Sequence, residues 1–214
     1  MSTKDKILDA AETLFAEHGF EVTSLREITA LAGVNLAAIN YHFRSKDALI
    51  RAVYGRRIGA VNERRLTMLD AFEAEAAGGV LPLNAVLQAF YAPVFDVLRD
   101  LGPKAQCLGL LMGRIYVEPS ETVHEILREQ ITQIAQRFIS AFHRALPHLP
   151  IIELIWRVNF CVGVLSHSLA GGRQLQVVSG GQCDPSDMSG MLERVISFVG
   201  AGLRAPLPAL PPRS

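Results

Sequence analysis

Between residues 24 and 47 three helix-start signals and one glycine stop follow one another at intervals of about ten residues. A stretch punctuated in this way can form only short helices. Ser24 and Glu27 make a capping-box pair. Gly33 stops the helix that Ser24 opens, because the turn there wants a positive φ. Asn35 is the next N-cap candidate, and it opens a short helix over 36–43. Ser45 caps a further helix whose first turn holds Asp47, an acid suited to the helix dipole. Leu25, Ile28, Val34 and Ile39 are spaced to pack the two short helices on one another. Upstream, residues 4–18 set Ile7, Ala11, Leu14, Phe15 and His18 on one face. Gly19 is a left-handed stop there, and Phe20 is the apolar residue that folds back. The outline is a helix-turn-helix whose second helix would offer its N-terminal residues to a DNA major groove. Spacing alone suits an αα-hairpin of a bundle equally well.

The rest of the chain also reads as helix. No proline interrupts Lys46 to about Ala76, and Gly55 and Gly59 are isolated. Further helices are expected over 83–101, 104–117, 120–146, 151–175 and 187–203. Pro93 should kink the first of these or open it locally. The prediction is an all-α chain of nine helices, with a boundary near residue 50, a large domain over 51–204 and a proline-rich, disordered tail over 205–214.

Composition narrows the class. Half of the 214 residues are apolar and a fifth are charged, which is far from a disordered profile. No apolar run approaches the roughly 20 residues that span a bilayer, and no signal-peptide pattern opens the sequence; a membrane partner is not expected and a cytoplasmic location is. Basic and acidic residues balance at 21 each, so any DNA binding must come from a few well-placed groups. Three widely spaced cysteines without a C-x-x-C fit reduced thiols and offer no metal site. Catalytic patterns are incomplete. Glu121-x-x-His124 has the spacing of a di-iron bundle but no second copy. Ser166-His167-Ser168 lacks a nucleophile elbow. Gly171-Gly172 and Gly180-Gly181 lack the strand context of phosphate loops. His143 and His148 flank a proline. No enzyme activity, cofactor or catalytic residue is assigned.

The residues themselves are more telling than their spacing. Ile7, Leu14-Phe15, Gly19-Phe20, Thr23-Ser24, Ile28, Ala32-Gly33-Val34, Tyr41-His42-Phe43 and Ser45-Lys46-Asp47-Ala48-Leu49 strongly resemble the TetR family of one-component bacterial transcription regulators. Thr29 stands where alanine is usual in that pattern, Asn40 where tyrosine is usual, and Asn35 where serine is more frequent. The resemblance implies a DNA-binding surface of Thr23, Ser24, Asn35, Leu36, Ala37, Ala38, Asn40, Tyr41, His42 and Lys46. Thr23 and Ser24 would donate to a phosphate, as would Tyr41 and His42, and Lys46 would pair with the DNA backbone. Leu36, Ala37, Ala38 and Asn40 would face bases, the small alanines favouring thymine methyls and Asn40 an adenine edge. Core packing is the alternative for Tyr41 and the expected role of Phe43, and simple solvent exposure is the alternative for His42.

In that family the remaining helices form an effector pocket and a dimer. Pocket-wall candidates here are Phe90, Tyr91, Phe95, Leu111, Met112, Arg114, Ile115, Phe138, Phe142, Trp156 and Phe160; for each apolar or aromatic one taken singly, plain core is the better reading. Arg114, Arg157 and His167 lie in apolar helices, where each could hold an effector or form an internal ion pair. The decapeptide Val34 to Phe43, with Leu111-Met112-Gly113-Arg114 and Glu118-Pro119, is similar to the branch related to fatty-acid-responsive repressors. That implies a hydrophobic effector such as a fatty acid or acyl-CoA. The dimer stripes expected on the last two helices are Val158, Val162, Leu165 and Leu169, with Met188, Met191, Leu192, Val195, Phe198 and Val199. The function so implied is a homodimeric repressor that binds a palindromic operator and is released by ligand. The other reading is a helical small-molecule-binding or enzymatic bundle with a degenerate DNA-binding domain.

Overall fold

The computed structural model describes residues 1–102, 105–115 and 121–209; within the helices, the side chains of 106, 112–115, 122–124, 126–127 and 129–131 are outside the description. Every described element is helical: α1 (Thr3–His18), α2 (Leu25–Ala32), α3 (Leu36–His42), α4 (Lys46–Tyr54), a π-helical turn (Gly55–Gly59), α5 (Ala60–Glu75), α6 (Leu83–Leu101), α7 (Ala105–Ile115), α8 (Glu121–Ala145), α9 (Ile151–Ala170), α10 (Gly172–Val178) and α11 (Met188–Arg204). No strand occurs among the described residues. With α4, the π turn and α5 forming one unbroken rod, the described helices number ten against the nine expected.

The extra one arises where 151–175 was expected to be continuous. Gly171 ends α9 and α10 starts at once. A Cβ on Gly171 would stand 2.8 Å from the His167 carbonyl oxygen, and one on Gly172 would stand 2.9 Å from Pro185. The paired glycines therefore permit a bend too tight for any other residue.

Two apolar cores form. In the first, Ile7, Phe15, Phe20, Ile28, Ile39, Leu49 and Tyr54 join α1 to α4, with Phe15 and Phe20 rings 5.2 Å apart. Phe20 thus folds back as expected. Gly19 has φ 94° and ψ 170°, a positive-φ conformation but not the left-handed helical one, and His18 turns to solvent instead of joining the apolar face. This core runs past residue 50 through Val53 and Tyr54, and it takes in Leu111 of α7.

The second core lies among α5, α6, α8, α9 and α11. Helix α6 continues through Pro93. In the turn the proline disturbs, the Phe90 carbonyl accepts from the buried Arg65 Nε at 2.8 Å, and the same guanidinium lies 4.4 Å from the Phe90 ring centroid.

The domains are joined by ion pairs. Arg56 and Arg57 of the π turn both grip the buried Glu12 of α1, and Arg56 also reaches Asp9 at 2.7 Å. Arg51 of α4 meets Glu125 of α8 at 2.5 Å. At the far end, Arg157 of α9 is buried and donates to the carbonyls of Gly202, Leu203, Ala205 and Pro206, with Glu153 at 2.8 Å. The start of the tail is therefore anchored, and 210–214 lie outside the described residues. Arg157→Ala should lower unfolding free energy by about 2–4 kcal/mol, because several buried carbonyls lose a charged donor. Arg194→Ala, at an exposed pair with Asp187, should change it by at most about 0.5 kcal/mol. Urea denaturation reads both, and equal effects would remove the staple role of Arg157.

Candidate nucleic-acid interface

Helices α2 and α3 meet through Ile28 and Ile39, both fully buried, with Leu25 and Val34 against them. Gly33 sets the angle between the helices. It adopts φ 64° and ψ 38°, and Val34 N–H reaches back to the Thr29 carbonyl at 3.1 Å. Asn35 then caps α3, its Oδ1 accepting from Ala38 N–H at 3.0 Å. Thr29, the unusual residue in α2, spends its hydroxyl on the Arg26 carbonyl at 2.8 Å.

With Ile39 and Phe43 turned inward, α3 exposes Leu36, Ala37, Asn40 and Tyr41, while Ala38 and His42 are half-buried. Leu36, Ala37, Asn40 and Tyr41 share one helix face. Tyr41 is 84% exposed, which excludes core packing. Its ring meets His42 edge-on at 5.0 Å. Residues of both helix starts flank that face. Ser24 Oγ accepts from Glu27 N–H at 3.2 Å, and the Glu27 carboxylate accepts from Ser24 N–H at 2.7 Å. Lys46 Nζ donates to the Glu21 carbonyl at 3.0 Å, which uses one of its three protons.

Thr23 does not fit the expected role. It is buried, and its hydroxyl points to the carbonyls of Gly19 (2.7 Å) and Leu14 (3.2 Å). It closes the turn after α1, and its hydroxyl has no proton left for a phosphate. Two exposed cations near this surface escaped the sequence reading: Arg26 on α2, and Arg44 just after α3. Arg44 takes φ 66°, a conformation uncommon outside glycine. The tight spacing between Phe43 and the Ser45 cap was the signal available for it.

The large-domain candidates divide differently from expectation. Phe90, Tyr91, Phe95, Phe138 and Phe142 are buried together, with Phe90 at 5.0 Å from Phe138 and 6.1 Å from Phe142. Tyr91 donates its phenol to the Cys161 carbonyl at 2.9 Å. Burial pushes that phenol well above its ordinary range and the Cys161 thiol up to about 11. Leu111 belongs to the N-terminal core instead. The side chains of Met112, Arg114 and Ile115 lie outside the described residues. Trp156 and Phe160 are 53% and 59% exposed on the outer face of α9, so neither lines an internal pocket. Arg157 is committed to the tail, not to an effector.

The protomer's own core takes three residues of the expected dimer stripe and leaves six others half-buried. Leu165, Val195 and Val199 are buried in the protomer's own core, and Val158, Val162, Leu169, Met188, Met191 and Leu192 pack against it. Only Phe198, 70% exposed, faces outward. The exposed apolar residues of α9 are Ile151, Ile152, Ile155, Trp156 and Phe160. Helix α9 is apolar nearly all round, so periodicity could not tell its two faces apart.

Two family descriptions match this chain: "Bacterial regulatory proteins, tetR family" over residues 7–53, and "Tetracyclin repressor-like, C-terminal domain" over residues 88–202. The probable HTH-type transcriptional regulator YttP of Bacillus subtilis is 50% identical over 50 residues, 23% of this chain and 24% of that protein. The biofilm operon negative transcriptional regulator IcaR of Staphylococcus aureus is 44% identical over 124 residues, 57% of this chain and 56% of that protein. The matches thus span from about a quarter to little more than half of those relatives' length. The SmeT–triclosan complex shares the fold over 100% of both chains, with TM-score 0.59 and 19% identity. The fatty-acid-responsive branch finds no support in these matches. No described helix is long and apolar enough to cross a membrane.

Two hydrogen bonds from Ser24, the backbone N–H first, hold the Glu27 carboxyl below the ordinary glutamate value near 4.5. A depressed folded-state pKa stabilises the fold above the unfolded value, and that contribution is lost as pH falls through the folded one. A carboxyl NMR titration should therefore find Glu27 ionised to lower pH than an ordinary glutamate, and Ser24→Ala, which keeps the backbone N–H, should raise its midpoint only part of the way to the ordinary range. An unchanged Glu27 midpoint in Ser24→Ala would remove the Ser24 hydroxyl as a contributor and leave the backbone N–H alone.

Proposed function

The chain belongs to the TetR family of bacterial regulatory proteins, and on that premise we propose that it is a DNA-binding transcription regulator: a homodimeric, cytoplasmic repressor of a palindromic operator, released by a hydrophobic small molecule. The observation that carries the DNA-binding role is the outward face of α3, with Leu36, Ala37, Asn40 and Tyr41 held in place by the buried Ile28–Ile39 contact. On this reading Asn40 pairs with an adenine edge, and Leu36, Ala37 and Ala38 lie against thymine methyls. Ser24, Tyr41, His42 and Lys46 hold phosphates, Asn35 offers its outer amide, and Thr23 contributes only its backbone.

A seven-residue α3 covers too few bases for a specific site. Two copies related by a two-fold axis read a palindrome, and the exposed apolar face of α9 with Phe198 is the surface for the second copy. Repression follows the role of IcaR, a negative transcriptional regulator of a biofilm operon. A fatty acid or acyl-CoA would enter between α6 and α8 by parting the Phe90, Phe138 and Phe142 rings near Pro93. Any shift of the α4–α5 rod reaches the DNA-binding helices through Lys46 at its start and through the grip of Arg56 and Arg57 on α1. The effector must favour the spacing that does not fit DNA.

Selection of bound fragments from a random DNA pool should enrich one palindrome; a folded dimer that enriches none would overturn the reading. Asn40→Ala should lose discrimination at one base pair per half-site, about 1–3 kcal/mol. Lys46→Ala should weaken binding to every sequence alike and make the salt dependence shallower. Unchanged sequence preference in Asn40→Ala would remove its readout role.

A further inference from the structure

Among the described residues a positive φ falls on six glycines and on two other residues, Arg44 and Ala77. The turns on either side of α3 show the contrast. Gly33, before it, has φ 64°. Arg44, after it, has φ 66°. Glycine takes this conformation freely, whereas a Cβ there crowds the following carbonyl oxygen. The Arg44 N–H closes the end of α3 on the Asn40 carbonyl at 3.2 Å, and the next residue, Ser45, caps α4. A glycine would make the same backbone bond with less strain. The turn itself therefore has no use for an arginine side chain. Ala77, at the end of α5, bears the same strain but brings no charge to the surface.

The charge of Arg44 is also unspent. Residues 1–65 hold ten lysines and arginines. From Arg51 onward each has a partner inside the protein. Arg51 has Glu125, Arg56 and Arg57 have Glu12, Arg64 has Asp100, and Arg65 has the Phe90 carbonyl. Lys4, Lys6, Arg26, Arg44 and Lys46 make no ion pair with a described residue. Lys4 and Lys6 begin α1, the end at which Asp9 meets the π turn. Lys46 already gives one proton to the Glu21 carbonyl. Arg44 is exposed and stands one helical turn beyond Asn40, between the Tyr41–His42 pair and Lys46.

We propose that Arg44 is a phosphate anchor: its guanidinium binds a backbone phosphate of duplex DNA at the edge of the groove that α3 enters, and the strained turn is kept because it holds that charge there. The inference rests on the DNA-binding reading above and adds a contact that none of the expected surface residues supplies. Phosphate suits the planar fork of a guanidinium. Such a contact fixes the register of α3 on the duplex without reading sequence.

Arg44→Gly separates strain from charge. The variant should unfold at no lower urea concentration than the wild type, since relief of the left-handed conformation offsets the extra freedom of an unfolded glycine. It should bind a mixed-sequence DNA duplex roughly tenfold more weakly at low salt. Its slope of log K against log salt should be shallower by about one per protomer. Arg44→Gln, which keeps the strain and removes the charge, should show the same loss at the wild-type unfolding midpoint, and Arg44→Lys should keep most of the slope. Lys6→Ala removes an equal charge from the far end of α1 and should leave the slope as it is. Equal losses in Lys6→Ala and Arg44→Gly would mean that overall charge, not an anchor, is at work, and would overturn the proposal. So would an Arg44→Gly chain that unfolds earlier, because the arginine would then serve the fold. Wild-type binding by Arg44→Gly beside weakened binding by Lys46→Ala overturns the anchor and leaves the DNA-binding reading standing. A wild type without affinity for any duplex sinks both.

Discussion

The carboxylate of Glu12 sits almost wholly out of water in the middle of α1, and two guanidiniums from the π turn close on it. An unpaired charge in that position would cost several kcal/mol, so the rod and α1 hold one another in place. The π turn makes the grip possible. Gly55 and Gly59 bound it, and the extra residue in that turn lets Arg56 and Arg57, adjacent in sequence, converge on one carboxylate. Asp9 takes the second arm of Arg56. Because α1 also supplies Ile7 and Phe15 to the N-terminal core, this polar clamp fixes where the DNA-facing helices sit on the bundle.

The large domain follows the same rule in a different setting: a buried polar group is placed where the backbone has a need. Pro93 leaves the Ala89 carbonyl of α6 without its helical donor, and Arg65 donates to the carbonyl of the next residue, Phe90. The end of α11 leaves carbonyls without helical partners, and Arg157 donates to Gly202 and Leu203 in its last turn and to Ala205 and Pro206 just beyond it. Around these points the aromatic rings of α6 and α8 interlock at centroid distances of 5.0 to 6.3 Å. The two buried arginines among the described residues, Arg65 and Arg157, therefore both donate to backbone carbonyls.

Much of the DNA-facing half was legible from residues alone. Ser24 with Glu27, Gly33, Asn35 and Ser45 each act through bonds that span three to five residues, and the structure places every one as a cap or a turn. Errors came where the answer depended on distant neighbours. The Thr23 hydroxyl was assigned to phosphate because nothing local revealed the Leu14 and Gly19 carbonyls behind it. Leu111 was grouped with residues near it in sequence, yet α7 lies against α1 and carries that leucine into the other core. The break at Gly171 and Gly172 is not legible locally because the tightness at Gly172 comes from Pro185, thirteen residues away.

By itself the sequence determined the helical class, the helix ends in the first fifty residues and the outward residues of α3, since caps, positive-φ turns and a one-sided apolar pattern are local matters. The tertiary structure decided which face of α9 is core, where the buried carboxylate finds its guanidiniums and which rings touch. A helix apolar on every side carries no periodic signal, so only the position of its neighbours can say that Leu165 goes in while Trp156 and Phe160 stay out.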